Sequence, residues 1–246
     1  MAGTRFLFVT LLVLPSWGWQ SADQTLQDKL TAVTASYSVS NSDWLQALAK
    51  VAGDFQLPMG IEWIKVTGNP VPISLSWRDT TPLAILRDVV KAYPGYELDF
   101  GNGVVHVFPT AMKGDRADVL NARLGTFEVR NQTIPMAAAS TLASPVRDIM
   151  VPQDPNSRSH GTLSGSVIGN LNDERVTFRI ENATVRDALD KLCLSADRKV
   201  WVVAYPPNPT KTHAGFLKMV SLFNDEVRAD FSFVPTWSLM RWGYSF

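Results

Sequence analysis

Residues 176–192 read VTFRIENATVRDALDKL, and this segment changes its hydrophobic period in the middle. Its first half alternates apolar and polar residues, as a strand with one buried face does, and its second half spaces apolar residues as on one face of a helix. Residues 73–90, ISLSWRDTTPLAILRDVV, make the same change 103 positions earlier. The sequence therefore predicts one supersecondary unit that occurs twice. The offset aligns Asp79 with Asn182, Thr81 with Thr184, and Leu86 with Leu189.

The first copy is predicted to span residues 35–109, in the order strand, helix, strand, strand, helix, strand, strand. Ser42 is the expected N-cap of the first helix, and Thr81 that of the second, with Pro82 in its first turn. The last two strands are expected to form a hairpin around residues 101–103, Gly-Asn-Gly, because these residues adopt positive φ angles easily. The helices are expected at 43–54 and 82–92, and the two middle strands at 59–66 and 72–77.

The second copy is predicted to span residues 122–223 and to contain an inserted polar loop at 152–172. Each copy is expected to contain a sheet of about three strands, packed by its own helices. The fold class is therefore α+β, with two tandem βαβ–βαβ modules. In the second copy the helices are expected at 135–143 and 185–196, and the strands at 125–130, 175–180, 199–205 and 215–223.

Composition restricts the kinds of partner. The chain has 246 residues, of which 46% are hydrophobic and 19% charged, a composition typical of a globular protein with room for two small domains. Its formal net charge is zero, and its Lys and Arg residues are scattered. Nucleic-acid binding needs a basic surface that follows the phosphates, so we expect no nucleic-acid partner.

Residues 1–22 are predicted to be a cleavable secretory signal peptide. One positive charge, Arg5, precedes an apolar run at 6–14 that is too short to cross a bilayer, and small residues follow. Cleavage is expected between about Trp19 and Asp23, which gives a periplasmic or secreted protein without a membrane span in the mature chain. An uncleaved anchor and a buried helix are the alternative interpretations.

No residue pattern predicts a catalytic, metal or cofactor site. His106, His160 and His213 are far apart and lack metal-ligand spacing, although the two loop histidines could share a site with Asp154. His106 is expected to be a polar residue within a strand. The one cysteine, Cys193, is expected to be buried on its helix. Asp187 and Asp190 are expected to face solvent, with Asp187 paired to Lys191.

Residues 224–246 form a C-terminal tail rich in aromatic side chains. One interpretation is that the tail folds back over an exposed sheet face. The other is that it docks onto another protein, since Trp and Arg dominate the energetics of interfaces. The predicted protein-binding residues are Trp237, Met240, Arg241 and Trp242.

The two copies resemble the short N-terminal (STN-like) domain shared by bacterial secretins and TonB-dependent receptors. The resemblance lies in WLQALAKVAGDFQLPMGIEW with VPISLSWRDTTPLAIL, and in FEVRNQTIPMAAASTL with VTFRIENATVRDALDKL. It implies a domain without catalytic residues or cofactors, which stacks, dimerises or docks a partner through a strand edge and one helix.

Taken together, these features predict an exported, non-enzymatic envelope protein whose modules bind another protein, such as a secretion or pilus-type assembly. A second hypothesis is an envelope hydrolase or small-ligand-binding protein with a site under the 152–172 loop. A third is a structural homo-oligomer that stacks module on module. An uncovered strand edge would favour the first hypothesis, and a pocket with converging polar groups would favour the second.

Overall fold

The computed structural model describes residues 22–64, 71–113, 119–133, 137, 175–195, 199–205, 216–223 and 226–232. It contains both helices and mixed sheets, which confirms the α+β class. The helices are α1 (Ala22–Thr31), α2 (Trp44–Asp54), α3 (Pro82–Lys91) and α4 (Val185–Leu194). The strands are β1 (Thr34–Ser42), β2 (Met59–Ile64), β3 (Ile73–Thr80), β4 (Tyr96–Gly101), β5 (Val104–Pro109), β6 (Arg123–Thr133), β7 (Arg175–Thr184), β8 (Lys199–Tyr205), β9 (Phe216–Phe223) and β10 (Glu226–Ser232).

The helices α3 and α4 match position by position at the offset of 103. The side chain of Thr81 accepts a hydrogen bond from the N–H of Ala84, so the predicted N-cap of α3 is confirmed. Thr184, which the offset aligns with Thr81, caps α4 in the same way by accepting from the N–H of Asp187. Leu86 and Leu189 are both fully buried. The other buried pairs are Pro82 and Val185, Ile85 and Ala188, Val89 and Leu192, and Val90 and Cys193.

Two antiparallel ribbons, β1–β3 and β6–β7, also share their register. In each ribbon an asparagine with positive φ, Asn41 or Asn131, donates its backbone N–H to a hydroxyl on the facing strand. The acceptors are Ser74 and Thr177, both at 2.9 Å and 103 positions apart. Each ribbon turns its polar side chains outward and packs its apolar side chains inward.

The expectation of a separate sheet in each copy is wrong. One six-stranded sheet has the order β10-β9-β8-β2-β5-β4, so strands from both halves of the chain belong to it. The join is a parallel pairing of β2 with β8, which runs from Met59 beside Val200 to Ile64 beside Tyr205. Residues 59–62 are buried on both faces of the sheet, and this is typical of a central strand. The division into modules at 35–109 and 122–223 stays a prediction.

The sheet separates two apolar clusters. On one face, α1, α2, α3 and ribbon β1–β3 cover side chains of β2, β5 and β8, including Met59, Val105 and Val202. On the other face, α4 and ribbon β6–β7 cover Trp201 and Val203 of β8. Helix α4 therefore lies on the opposite side of the sheet from α3, although the two helices occupy equivalent places in the sequence.

Several local predictions need correction. The N-cap of α2 is Asp43 rather than Ser42, because the carboxylate of Asp43 accepts from the N–H of Gln46 at 2.7 Å. Strands β3 and β7 are longer than predicted and continue to the N-cap residues, passing through positive φ at Asp79 and Asn182. Helix 135–143 and loop 152–172 lie outside the described residues, apart from Ala137.

Helix α1 was not expected from the sequence. It buries Leu26 and Leu30 against the cluster under α3. The carboxylate of Asp23 accepts a hydrogen bond from the N–H of Gly103 in the β4–β5 turn. The predicted hairpin itself is confirmed, with positive φ at Asn102 and Gly103. This helix thus holds the tip of the hairpin at the end of the sheet.

Candidate functional site

A buried cluster of polar side chains lies where α4 crosses the sheet. We call it the polar junction; it consists of Glu62, His106, Arg186, Asp190 and Trp201. Within it, Asp190 Oδ1 accepts a hydrogen bond from Trp201 Nε1 at 2.9 Å. His106 Nε2 lies 2.9 Å from Asp190 Oδ1 and 3.1 Å from Oδ2. These distances place His106 Nε2 within hydrogen-bonding reach of both oxygens of the Asp190 carboxyl group. Asp190 therefore links β5 to β8 through two side-chain contacts.

The burial of Asp190 contradicts the expectation that it faces solvent, since only 1% of the residue is exposed. The equivalent position in α3 is Arg87, which is exposed. The two helices differ because α4 packs over the centre of the sheet, where β5, β2 and β8 all lie beneath it. A carboxylate in such a place must be hydrogen-bonded, and the indole N–H and the imidazole nitrogen meet that need.

The second buried acid of the junction is Glu62 on β2, which is 2% exposed. Its carboxylate accepts a hydrogen bond from the guanidinium of Arg186 on α4. The same guanidinium lies 6.0 Å from the ring centroid of Trp201, within the range of a cation–π contact. Each carboxylate of the junction thus contacts a donor from another part of the fold.

Trp201 fits into the junction because its neighbour on β2 is a glycine. Gly60 pairs with Trp201 across the parallel ladder. A Cβ atom on Gly60 would lie only 2.1 Å from Cζ2 of Trp201 and 2.3 Å from Cε2. The indole therefore occupies the volume that any other residue at position 60 would need.

The contacts of the polar junction indicate which reactions or ligands its residues could support. A histidine oriented by an aspartate is the arrangement of a general base, which also needs a nucleophile within hydrogen-bond reach. In the described part of the chain, the hydrogen bonds of His106 are those with Asp190, and its only ring contact is with Trp201. The described residues also contain no group of three or more His, Cys, Asp or Glu side chains placed to hold a metal ion. The observed contacts are those of a structural junction.

Cys193 is buried, as expected, and its Sγ lies 4.0 Å from the carbonyl oxygen of Met59. The predicted ion pair between Asp187 and Lys191 is not among the salt bridges of the described residues. Asp187 instead forms a capping box with Thr184 and lies 3.4 Å from the Asn102 side-chain amide.

An open depression lies beside ribbon β1–β3, with a volume of about 670 Å³. Two of its polar groups already contact one carboxylate: Tyr37 Oη donates to Asp54 at 2.8 Å, and Lys50 Nζ lies 2.7 Å from the same oxygen. Burial and the adjacent carboxylate raise the pKa of the Tyr37 hydroxyl above its ordinary value. The residues that line the depression are Ser36, Tyr37, Ser38, Lys50, Ser76, Trp77 and Arg78.

The end of the six-stranded sheet is the second feature with functional potential. Strand β4 is the last strand on its side, and no strand of the described part pairs with its outer side. Tyr96 lies opposite Pro109, which has no N–H, so this is a non-hydrogen-bonded pair. The antiparallel alternation then turns the N–H and C=O groups of Tyr96, Leu98 and Phe100 away from β5. We call this row of backbone groups the β4 edge.

The side chains of β4 give the edge an acidic face and an apolar face. Leu98 and Tyr96 pack against the cluster under α3, and the next residue on that face, Phe100, is 41% exposed. Asp99 lies on the other face and is exposed. Its Oδ1 accepts a hydrogen bond from the N–H of Phe100 at 2.8 Å. A nearby ion pair joins Glu97 to Lys113 at 2.8 Å.

The residues predicted to bind protein, Trp237, Met240, Arg241 and Trp242, lie outside the described residues, as do His160 and His213. Sequence reasoning missed the polar junction, because its members come from four elements and no motif joins them. None of the described helices is long and apolar enough to cross a bilayer. Comparison with known protein families, curated proteins and solved structures found no match to this chain.

Proposed function

We propose that this chain is an exported, non-enzymatic envelope protein that binds another protein through the end of its six-stranded sheet. The observation that carries the proposal is the β4 edge, with which no strand of the described part pairs and which lies beside the exposed ring of Phe100. Adding a strand to such an edge is a common way for one protein to bind an extended segment of another. Export rests on the signal-peptide pattern of residues 1–22.

The polar junction supports a binding role rather than catalysis. Its charged and polar groups contact one another and join α4 to β2, β5 and β8. Such contacts fix the two halves of the sheet relative to each other. A rigid sheet presents a pre-formed edge, so a partner strand would not need to order the protein as it binds.

Site-specific photocrosslinking in cells tests this function. A photoreactive residue replaces Phe100 at the β4 edge, and in the control chain it replaces Thr177 on the outer face of ribbon β6–β7. We expect a discrete protein adduct from position 100 and none from position 177. Absence of an adduct at position 100, in a chain that is exported at normal levels, would contradict the proposal.

A further inference from the structure

Resting on the binding function proposed above, we propose that the β4 edge accepts an extended segment that runs parallel to β4 and places a basic side chain beside Asp99. Exposure of the edge alone determines neither the direction nor the charge of such a segment, but two observations bear on them. One is the strand that occupies the equivalent edge in the other half of the chain, and the other is the charge of Asp99.

The internal repeat shows which kind of strand fits this edge. Strand β8 is the counterpart of β4: each follows the equivalent helix, and each pairs antiparallel with the next strand in the chain. The outer edge of β8 is occupied by β2, which runs parallel to it. In β4 the same edge has no strand beside it in the described part of the chain. By this equivalence, the segment that fits β4 lies as β2 does on β8.

The register between β2 and β8 indicates which residue of a bound segment would lie beside Asp99. Val202 lies 103 positions after Asp99 and is paired with Ile61 of β2. Val202 faces the apolar cluster under α1 and α2, so an apolar neighbour suits it. Asp99 is exposed and forms no salt bridge with any described residue. The partner residue in the position of Ile61 would therefore be Lys or Arg, which can pair with this carboxylate.

Asp99 also controls access to the edge. By accepting the N–H of Phe100, its carboxylate occupies one of the outward donors that a partner strand would use. A basic side chain beside Asp99 draws the carboxylate away and frees this N–H for the ladder. A second copy of β4 would instead bring two acidic edges together, and like charges across a ladder are unfavourable. The chemistry therefore favours a different, basic segment over self-association.

The probe for this proposal is a blocked synthetic peptide of ten residues that alternates Lys and Val, with a Glu–Val peptide as its counterpart. Hydrogen exchange of the chain that begins at Ala22 and runs to Phe246 is followed by NMR with each peptide. We expect the Lys–Val peptide to slow exchange at Leu98 and Phe100, and the Glu–Val peptide to have no effect. Asp99→Asn should weaken binding of the Lys–Val peptide about tenfold, because it removes a charged hydrogen-bond partner. Glu181→Gln, an exposed acid on ribbon β6–β7, should leave binding unchanged.

A nitroxide on the N-terminus of the Lys–Val peptide tests direction. Parallel binding places the label near Tyr96, and antiparallel binding places it near Gly101, so selective broadening at Gly101 would overturn the proposed direction. Equal protection by both peptides, no protection by either, or an unchanged affinity for Asp99→Asn would overturn the charge requirement. An in-cell adduct from position 100 whose yield is undiminished in the Asp99→Asn chain would refute this inference and leave the binding function intact. If the chain with Asp99 intact also gives no adduct from position 100, both this inference and the proposed binding function are refuted.

Discussion

Replacing Gly60 with alanine should destabilise the protein far more than the same change at most glycines. The added methyl group would lie 2.1 Å from Cζ2 of Trp201, a residue that is fully buried. The indole cannot move aside freely, since its Nε1 donates to Asp190 Oδ1 at 2.9 Å. Overpacking costs about 1–3 kcal/mol, and loss of a hydrogen bond to a charged group about 1.5–3 kcal/mol, so we expect a loss of about 2.5–6 kcal/mol in the free energy of unfolding.

Urea denaturation of the purified chain measures this loss, and Gly101→Ala is the matched control. A Cβ at Gly101, also in a strand of the same sheet, would meet no atom within 4 Å. We expect this control to change the free energy of unfolding by about 0.5 kcal/mol or less. A double-mutant cycle with Trp201→Phe adds a second test, because the smaller ring makes room for the methyl group. A loss below about 0.5 kcal/mol for Gly60→Ala would refute the packing argument.

Four further predictions concern other parts of the chain. Leu189→Ala should lower the free energy of unfolding by about 2–5 kcal/mol in urea, since Leu189 is fully buried. Burial raises the pKa of Tyr96 from 10.0 to about 12, so the unfolded chain loses this proton first as the pH rises. Stability should therefore fall from about pH 10 to about pH 12, and Tyr96→Phe should make that fall shallower. N-terminal sequencing of the protein from the periplasmic fraction should give a start no later than Asp23, because cleavage after Asp23 would remove the acceptor for the Gly103 N–H. Double substitution of Trp237 and Trp242 by alanine should reduce adduct formation at an unchanged melting temperature if the tail docks; a lower melting temperature would indicate that the tail covers the sheet.

The sequence predicted the features that neighbouring residues determine. Thr81 and Thr184 are N-caps because each stands directly before an apolar helical face, and the cap bond spans three residues. The β4–β5 hairpin was predictable for the same reason, since its turn needs only Asn102 and Gly103 with positive φ. These signals depend only on residues that lie close together in the chain.

The pairing of β2 with β8 and the burial of Asp190 could not be predicted in this way. Periodicity places Asp190 on a helix face, and only the docking of α4 over the sheet determines whether that face is covered. The fit between Gly60 and Trp201 is likewise a relation between distant parts of the chain. Sequence reasoning therefore predicted local elements such as α3 and the β4–β5 hairpin, and it missed the pairing of β2 with β8.

The parallel pairing of β2 with β8 also has a consequence for the order of folding. Ribosomes make β2 early, and its partner β8 follows only after β3–β7 and α4. Until then, one side of β2 has unpaired backbone groups beside apolar side chains such as Met59 and Ile61. Contacts this far apart in sequence form slowly, and partly folded chains with open strands aggregate. A chain held unfolded until it has been exported in full would avoid that exposed intermediate.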